Sequence, residues 1–308
     1  APYALPGTDG LGKSIAAEFA KGGSVVIMEN HGTVIGGSTI TEAYQKFETI
    51  ESTARSILYA HMIGRPTYLT DQEIASHAAA FPSPLPEMDE VTYPTLEKEK
   101  RLEVYKIVKR ARQQGLMLGS FGSVSTRWQD NDFLITPENV SKWDIAIADI
   151  VQVRKGKREA GKLPASSFHL HQEIYEKQPG VNAIIITQAP YLTAFAISGT
   201  EFNVRTIPET WIYLQDVQMA AFGNPLSKQK AITSMISMQT PVVLMQNEGV
   251  MVAGGKLLQA FDYLEVAEFS AKSLVLSTSL GEMIPISDDQ VNELGKVMER
   301  WKNYEWKM

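Results

Sequence analysis

One stretch of this chain occurs twice. Residues 25–74 open VVIMENHGTVIGG and residues 242–291 open VVLMQNEGVMVAG; each position of the first has its counterpart 217 residues later, without a gap. Thirteen of the 50 positions are identical, among them Asn30 and Asn247, Gly32 and Gly249, Glu48 and Glu265, Glu51 and Glu268, and Gly64 and Gly281. Apolar patterning alone preserves hydrophobic character. It does not hold an asparagine, three glycines and two carboxylates in register, so the match is an internal repeat. Residues 96–241 precede the second segment, but only 24 residues precede the first. The chain is therefore expected to open inside a domain. Residues 1–74 are expected to form the C-terminal half of one copy, 75–95 a proline-rich linker, and 96–308 a complete copy with an added C-terminal helix.

Local patterns fill in that outline. Leu11–Phe19 has the spacing of an amphipathic helix, with Thr8 and Asp9 as caps. Val25–Met28 and 32–37 read as two short strands around the Asn30-His31-Gly32 turn, and a long helix follows over Thr41–Met62. The stretch 75–94 holds four prolines and little periodicity, which marks a linker. Beyond it, helix over Leu96–Gln114, Ser167–Lys177 and Tyr191–Ile197 alternates with strand over Phe133–Ile135, Ile150–Val153, Ala183–Thr187 and Val242–Met245. Asp288–Trp306 has the pattern of an amphipathic helix with an aromatic and basic end. Short strands alternating with helices predict an α/β sandwich with helices over both faces of one sheet.

Composition excludes some functions. A net charge of −6 without a basic block gives no electrostatic case for nucleic acid. Zero cysteines remove disulfides and thiolate metal sites. No apolar run approaches the ~20 residues of a membrane span, and a cytoplasmic location is expected.

An ordered series of motifs carries a resemblance. GSFGSVSTR and FLITPENV within 119–140, LPASSFHLHQEIY at 163–175, VNAIIITQAPYLTAFA at 181–196 and VVLMQNEG at 242–249 together resemble the class II aldolase/adducin family, as does the opening APYALPGTDGL with VVIMENHGTVIGG. The resemblance implies a three-layer α/β/α sandwich on a mixed, largely antiparallel sheet: one full copy plus the C-terminal half of another. It does not imply one activity, because the family holds aldolases, epimerases and the non-catalytic adducin heads. In catalytic members three histidines hold zinc, two from an H-x-H and one from an N-H-G turn. The metal stabilises an enediolate while a glutamate of a P-S-S-E motif moves protons. Serines near G-N-x-S and P-S-S hold the phosphate or acid end of the substrate.

Carried over to 96–308, that machinery is gone. The H-x-H falls on Ile186-Thr187-Gln188, the third histidine on Glu248, and the glutamate on Ser167. One hydrocarbon, one amide and one carboxylate do not make a zinc site, so this copy is expected to be inactive and without metal. Gly122, Ser123, Ser125 and Ser166 remain as a possible substrate pocket. His31, by contrast, keeps the third-ligand position, and zinc is expected there only if a missing N-terminal half supplies its partners.

Two further features have plain readings. His169 and His171 lie at i and i+2 of a helix and point to different faces, so they are no ligand pair. Trp211 and Tyr213 stand where catalytic members place a tyrosine that reaches a neighbouring subunit, and an aromatic cluster there suits a contact surface. Three functions remain open on these grounds. One is a two-domain zinc-dependent sugar or sugar-phosphate aldolase, or a related epimerase, with its site in the first domain. Another is a non-catalytic assembly protein like the adducin heads, and the third a sugar or sugar-phosphate binding module. A homo-oligomer, or association with the missing N-terminal half-domain, is expected in each case.

Overall fold

The computed structural model describes residues 1–80, 83–223 and 229–303. Phe81 and Pro82 of the expected linker, and the end of the helix expected over Asp288–Trp306, lie outside the described residues. The chain divides into two compact units, Ala1–Thr53 and Ala54–Met308.

The first unit holds α1 (Asp9–Phe19), β1 (Val25–Met28), β2 (Gly32–Ile35) and the opening turns of α2 (Ile40–Ile63). Thr8 caps α1, its hydroxyl accepting from Leu11 N–H at 3.5 Å, which satisfies one of the donors left open at a helix start. β1 and β2 form a two-stranded antiparallel sheet with Val25 opposite Ile35 and Met28 opposite Gly32. The tight turn between them is left-handed at Asn30, with φ 54°, a conformation that asparagine tolerates better than most residues. Ala1 lies along β1, its ammonium donating to Ile27 O at 2.7 Å.

The second unit is built on β3 (Ser123–Gln129), β4 (Asp132–Ile135), β5 (Val151–Arg154), β6 (Lys157–Arg158), β7 (Ala183–Thr187), β8 (Val217–Ala220), β9 (Val242–Met245) and β10 (Gly249–Gly254). The strand order is β6-β5-β4-β3-β7-β10-β9-β8, antiparallel throughout except for β8, which is parallel to β9. On one face Val124, Ile185, Leu244 and Val252 meet α4 (Thr95–Gln113), α6 (Pro190–Ser198) and α9 (Leu257–Ser277). On the other, Phe133, Ile184, Ile186 and Val243 meet α5 (Phe168–Lys177) and α8 (Gln229–Met235). The result is the expected three-layer sandwich. Its central strand β7 is buried at every position, which is why the run Ala183–Ile186 carries no polar residue. Each of its isoleucines contributes about 1.5–3 kcal/mol by leaving water.

The repeated segments have the same internal geometry. β9 and β10 pair with Val242 opposite Val252 and Met245 opposite Gly249, the register of β1 and β2 displaced by 217. Asn247 repeats the left-handed backbone of Asn30, with φ 58°, and α9 starts 217 residues after α2.

Helices α3 (Asp71–Ala79), α7 (Pro208–Leu214) and α10 (Asp288–Asn303) complete the unit. The first of these runs into the stretch read as linker. Thr70 and Glu73 form a capping box there: the Thr70 hydroxyl accepts from Glu73 N–H at 3.2 Å, and the Glu73 carboxylate accepts from Thr70 N–H at 2.8 Å. The four following prolines masked this start signal. A buried ion cluster ties α4 to the β5–β6 hairpin region. The Arg101 guanidinium reaches Glu97 at 2.5 Å and Glu159 at 3.0 Å, and Tyr93 donates its hydroxyl to Glu159 at 2.7 Å. Among the described residues no helix is long and apolar enough to cross a membrane.

Candidate functional site

The end of β7 meets the β9–β10 turn and the start of β3 at one end of the central strands, through two glycines. A Cβ on Gly122 would lie 2.4 Å from Ile186 O, and one on Gly249 2.4 Å from Thr187 O. Both residues have positive φ, +74° and +124°, so a side chain is excluded by strain and by space together. This close approach brings the three degenerate metal positions to one place. Ile186 lies between Ser123 of β3 and Met251 of β10 in the ladder. Gln188 donates its amide to the carbonyl of Glu248 at 3.1 Å.

The chemistry of that trio differs from a ligand set at each position. The Ile186 side chain is buried apolar surface that offers no lone pair. The Gln188 amide is engaged as a donor. Burial pushes the Glu248 carboxyl up to about 7, opposed by the Gly223 N–H that donates to Oε1 at 3.2 Å. His77 of α3 places Nδ1 3.7 Å from the same oxygen and stacks on Phe222 at 5.4 Å between centroids. Thr67 pins the neighbouring residue: its hydroxyl donates to Asn247 Oδ1 at 3.1 Å, and Asn247 Nδ2 donates back to Thr67 O at 2.9 Å. The segment from Thr67 through α3 therefore lies across the turn that would bear the third ligand. Sequence reasoning missed His77 because it is 171 positions from Glu248 and no local pattern links them. The capping box at Thr70 was the one available sign of a helix there.

The serine positions form a buried polar chain. Ser167 and Ser123 hydroxyls lie 2.7 Å apart, Ser123 is 2.8 Å from His171 Nε2, Ser125 is 2.6 Å from His171 Nδ1, and Tyr175 OH is 2.6 Å from Ser125. Burial lowers the His171 imidazole to about 3, so it is neutral. One ring nitrogen then donates to a serine while the other accepts from the second. Ser123, Ser125 and His171 are all buried, so this chain links α5 to β3 beneath the surface. His169 is half-buried against the Phe168 ring at 3.8 Å and shares no site with His171. Ser166 donates its N–H to Glu138 at 2.5 Å. Lys142, whose ammonium burial lowers to about 8, props the loop before Gly122 through Ser120 O at 2.8 Å.

The other expected positions lie elsewhere. His31 is exposed at the β1–β2 turn of the first unit, its N–H donating to Met28 O at 3.2 Å. Trp211 is half-buried on α7, and the exposed Tyr213 tilts against Tyr263 at 6.0 Å. Among the described residues no group of three or more histidines and carboxylates is placed to hold a metal ion.

The chain resembles known proteins. The model of the Class II Aldolase and Adducin N-terminal domain matches residues 1–58 and 102–275. The chain belongs to this family. It is 30% identical over 175 residues to an L-fuculose phosphate aldolase of Methanococcus vannielii, covering 55% of this chain and 92% of that protein. The aldolase of the same name from Escherichia coli K12 is 28% identical over 200 residues, 62% of this chain and 88% of its own. A 3-oxo-tetronate 4-phosphate decarboxylase of Haemophilus influenzae is 29% identical over 189 residues, 59% of this chain and 89% of its own. Among solved structures, YgbL of Klebsiella pneumoniae superposes with TM-score 0.59 at 24% identity, over 65% of this chain and all of that one. That last likeness establishes the fold alone. The relatives place the chain among class II aldolase-like sugar-phosphate aldolases and decarboxylases.

Proposed function

We propose that residues 96–308 are a non-catalytic class II aldolase domain, the structural partner of a metal-dependent domain to which residues 1–74 contribute their half. The observation that carries this reading is the Gln188–Glu248 contact beside Ile186. The donor set does not fit zinc: one position has no lone pair, one offers only a neutral amide oxygen, and the one carboxylate sits where burial favours its neutral form. Ser167, at the position of the proton-moving glutamate, is bonded to Ser123 and lacks a carboxylate's basicity.

His31 is the one imidazole at a family ligand position. Zinc there requires two further ligands from another segment; bound, it would act as a Lewis acid on a substrate carbonyl. What this chain supplies is His31 on the three-residue turn Glu29–His31, flanked by the β1–β2 ladder. The names of the relatives support a sugar phosphate as the substrate class of the whole protein. A binding role without turnover draws no support from Ser125, whose hydroxyl is enclosed between His171 and Tyr175.

The test compares three single variants of the protein for zinc content and for cleavage of L-fuculose 1-phosphate. Ser167→Ala and Glu248→Gln should leave both unchanged, whereas any zinc or cleavage present should fall with His31→Ala. Cleavage that is lost in Ser167→Ala or Glu248→Gln and kept in His31→Ala overturns the assignment.

A further inference from the structure

The first unit exposes a face that its repeat buries. Ile27, Ile40, Tyr44 and Phe47 are 68%, 86%, 51% and 49% exposed. Their counterparts 217 residues later, Leu244, Leu257, Phe261 and Leu264, are at most 1% exposed. Strand register and turn backbone agree between the two segments. The difference therefore lies in what covers them. In the second copy those four side chains share a core with Val104 and Ile107 of α4, Leu192 and Phe195 of α6, and Ile185 of β7. Every one of these covering residues comes from 96–217.

The backbone repeats the contrast. β10 is paired on its outer side by β7, from Val250 opposite Thr187 to Gly254 opposite Ala183. The corresponding side of β2 has no ladder partner among the described residues. Gly36 N–H is donated inward to Ser24 O at 2.8 Å, as Ala253 N–H is to Pro241 O. Strand alternation then points the N–H and C=O groups of Thr33 and Ile35 to the open edge. An open edge beside exposed aliphatic and aromatic side chains is a surface made for strand addition.

In the second copy two carboxylates fasten the cover. Glu268 accepts from Tyr191 and Leu192 N–H at 3.0 and 2.9 Å, capping the N-terminus of α6. Glu265 takes Arg110 of α4 at 2.8 Å and Gln114 at 2.6 Å. Both acids have their repeats, Glu51 and Glu48, of which Glu48 is buried in the first unit. In the second copy, the partners of these two acids lie wholly in 96–217.

We infer that the β2 edge, with Ile27, Ile40, Tyr44 and Phe47, is the docking face for an aldolase-type half-domain built like residues 96–217. Its central strand adds antiparallel to β2 as β7 does to β10, and the helices corresponding to α4 and α6 settle over the exposed apolar face. A second copy of the chain cannot supply that central strand, because its own β7 is already paired on both sides.

Grafting tests this directly. Residue 218 is the repeat of Ala1, so a copy of residues 96–217 fused ahead of Ala1 of the full chain restores the connectivity of the second copy. Amide hydrogen exchange is read at Thr33 and Ile35 in the parent and the graft. In the parent these amides should exchange nearly as freely as in an unstructured peptide; in the graft they should slow by about 100-fold or more, as ladder amides do. Thr33→Pro blocks strand addition while sparing the inward ladder and should return Ile35 to the parental rate. Phe47→Glu, which leaves the strands untouched, should do the same. An Ile35 amide equally fast in graft and parent overturns the inference, and so does proteolysis of the added segment alone. Protection in the parent that rises with protein concentration overturns it in favour of a second copy, and sedimentation would show the dimer.

Discussion

Glu248→Gln probes the degenerate site with little change in shape. Glutamine keeps an oxygen to accept from Gly223 N–H and removes only the ionisation. The carboxyl stands at about 7 instead of its ordinary 4.5, so the native state holds its proton more firmly than the unfolded chain does. Its contribution is complete below pH 4.5 and is lost as pH rises toward 7, after which the buried carboxylate is a constant penalty. A shift of this size corresponds to a ceiling of about 3 kcal/mol, and to about 1.5–2 kcal/mol once partial exposure and the facing His77 are allowed for. The variant should therefore match the parent near pH 4.5 and exceed its stability by about 1.5–2 kcal/mol at pH 8. Urea unfolding followed by tryptophan fluorescence reads this cleanly, because all five tryptophans lie in the second unit. Glu268, also pushed up to about 7 by burial, gives both proteins the same background slope, and the difference between them isolates position 248. A stability difference that is the same at pH 5 and pH 8 refutes the reasoning.

Three further outcomes follow from the geometry. The triple change Ile186→His, Gln188→His and Glu248→His should create stoichiometric zinc binding by elemental analysis, since the strand ends already hold these positions together; no metal uptake means the turn has moved. Arg101→Leu strands Glu97 in the interior and leaves Glu159 only Lys162 and Tyr93; it should cost about 3–5 kcal/mol in urea unfolding. Gly249→Ala meets Thr187 O at 2.4 Å in a left-handed backbone; it should cost at least about 2 kcal/mol by thermal or urea unfolding, whereas Gly161→Ala, at positive φ in open space, should cost about 1 kcal/mol.

The sequence by itself was not enough for β3, β6, α7, β8 or α8, but it was enough for the repeat, the family, the helices α4, α5 and α6, the strands β4, β5, β7 and β9, and the loss of imidazoles at 186, 188 and 248. These are local matters: strand and helix periodicity, turn chemistry at Asn30 and Asn247, and residue identity at aligned positions are written along the chain. The tertiary structure decided which partners those residues meet. His77 faces Glu248, Thr67 grips Asn247, and the Ser123–His171–Ser125 chain is sealed under α5, all through contacts between residues far apart in sequence. No periodicity encodes such contacts, because they depend on how the layers pack. The same limit explains α3: its capping box was legible, but the prolines beyond it outweighed four residues of signal until the helix was seen docked beside the turn. Exposure was the last thing only the structure could supply. Ile27 and Leu244 read alike in sequence, and what separates them is the layer of helices and the strand that cover one and not the other.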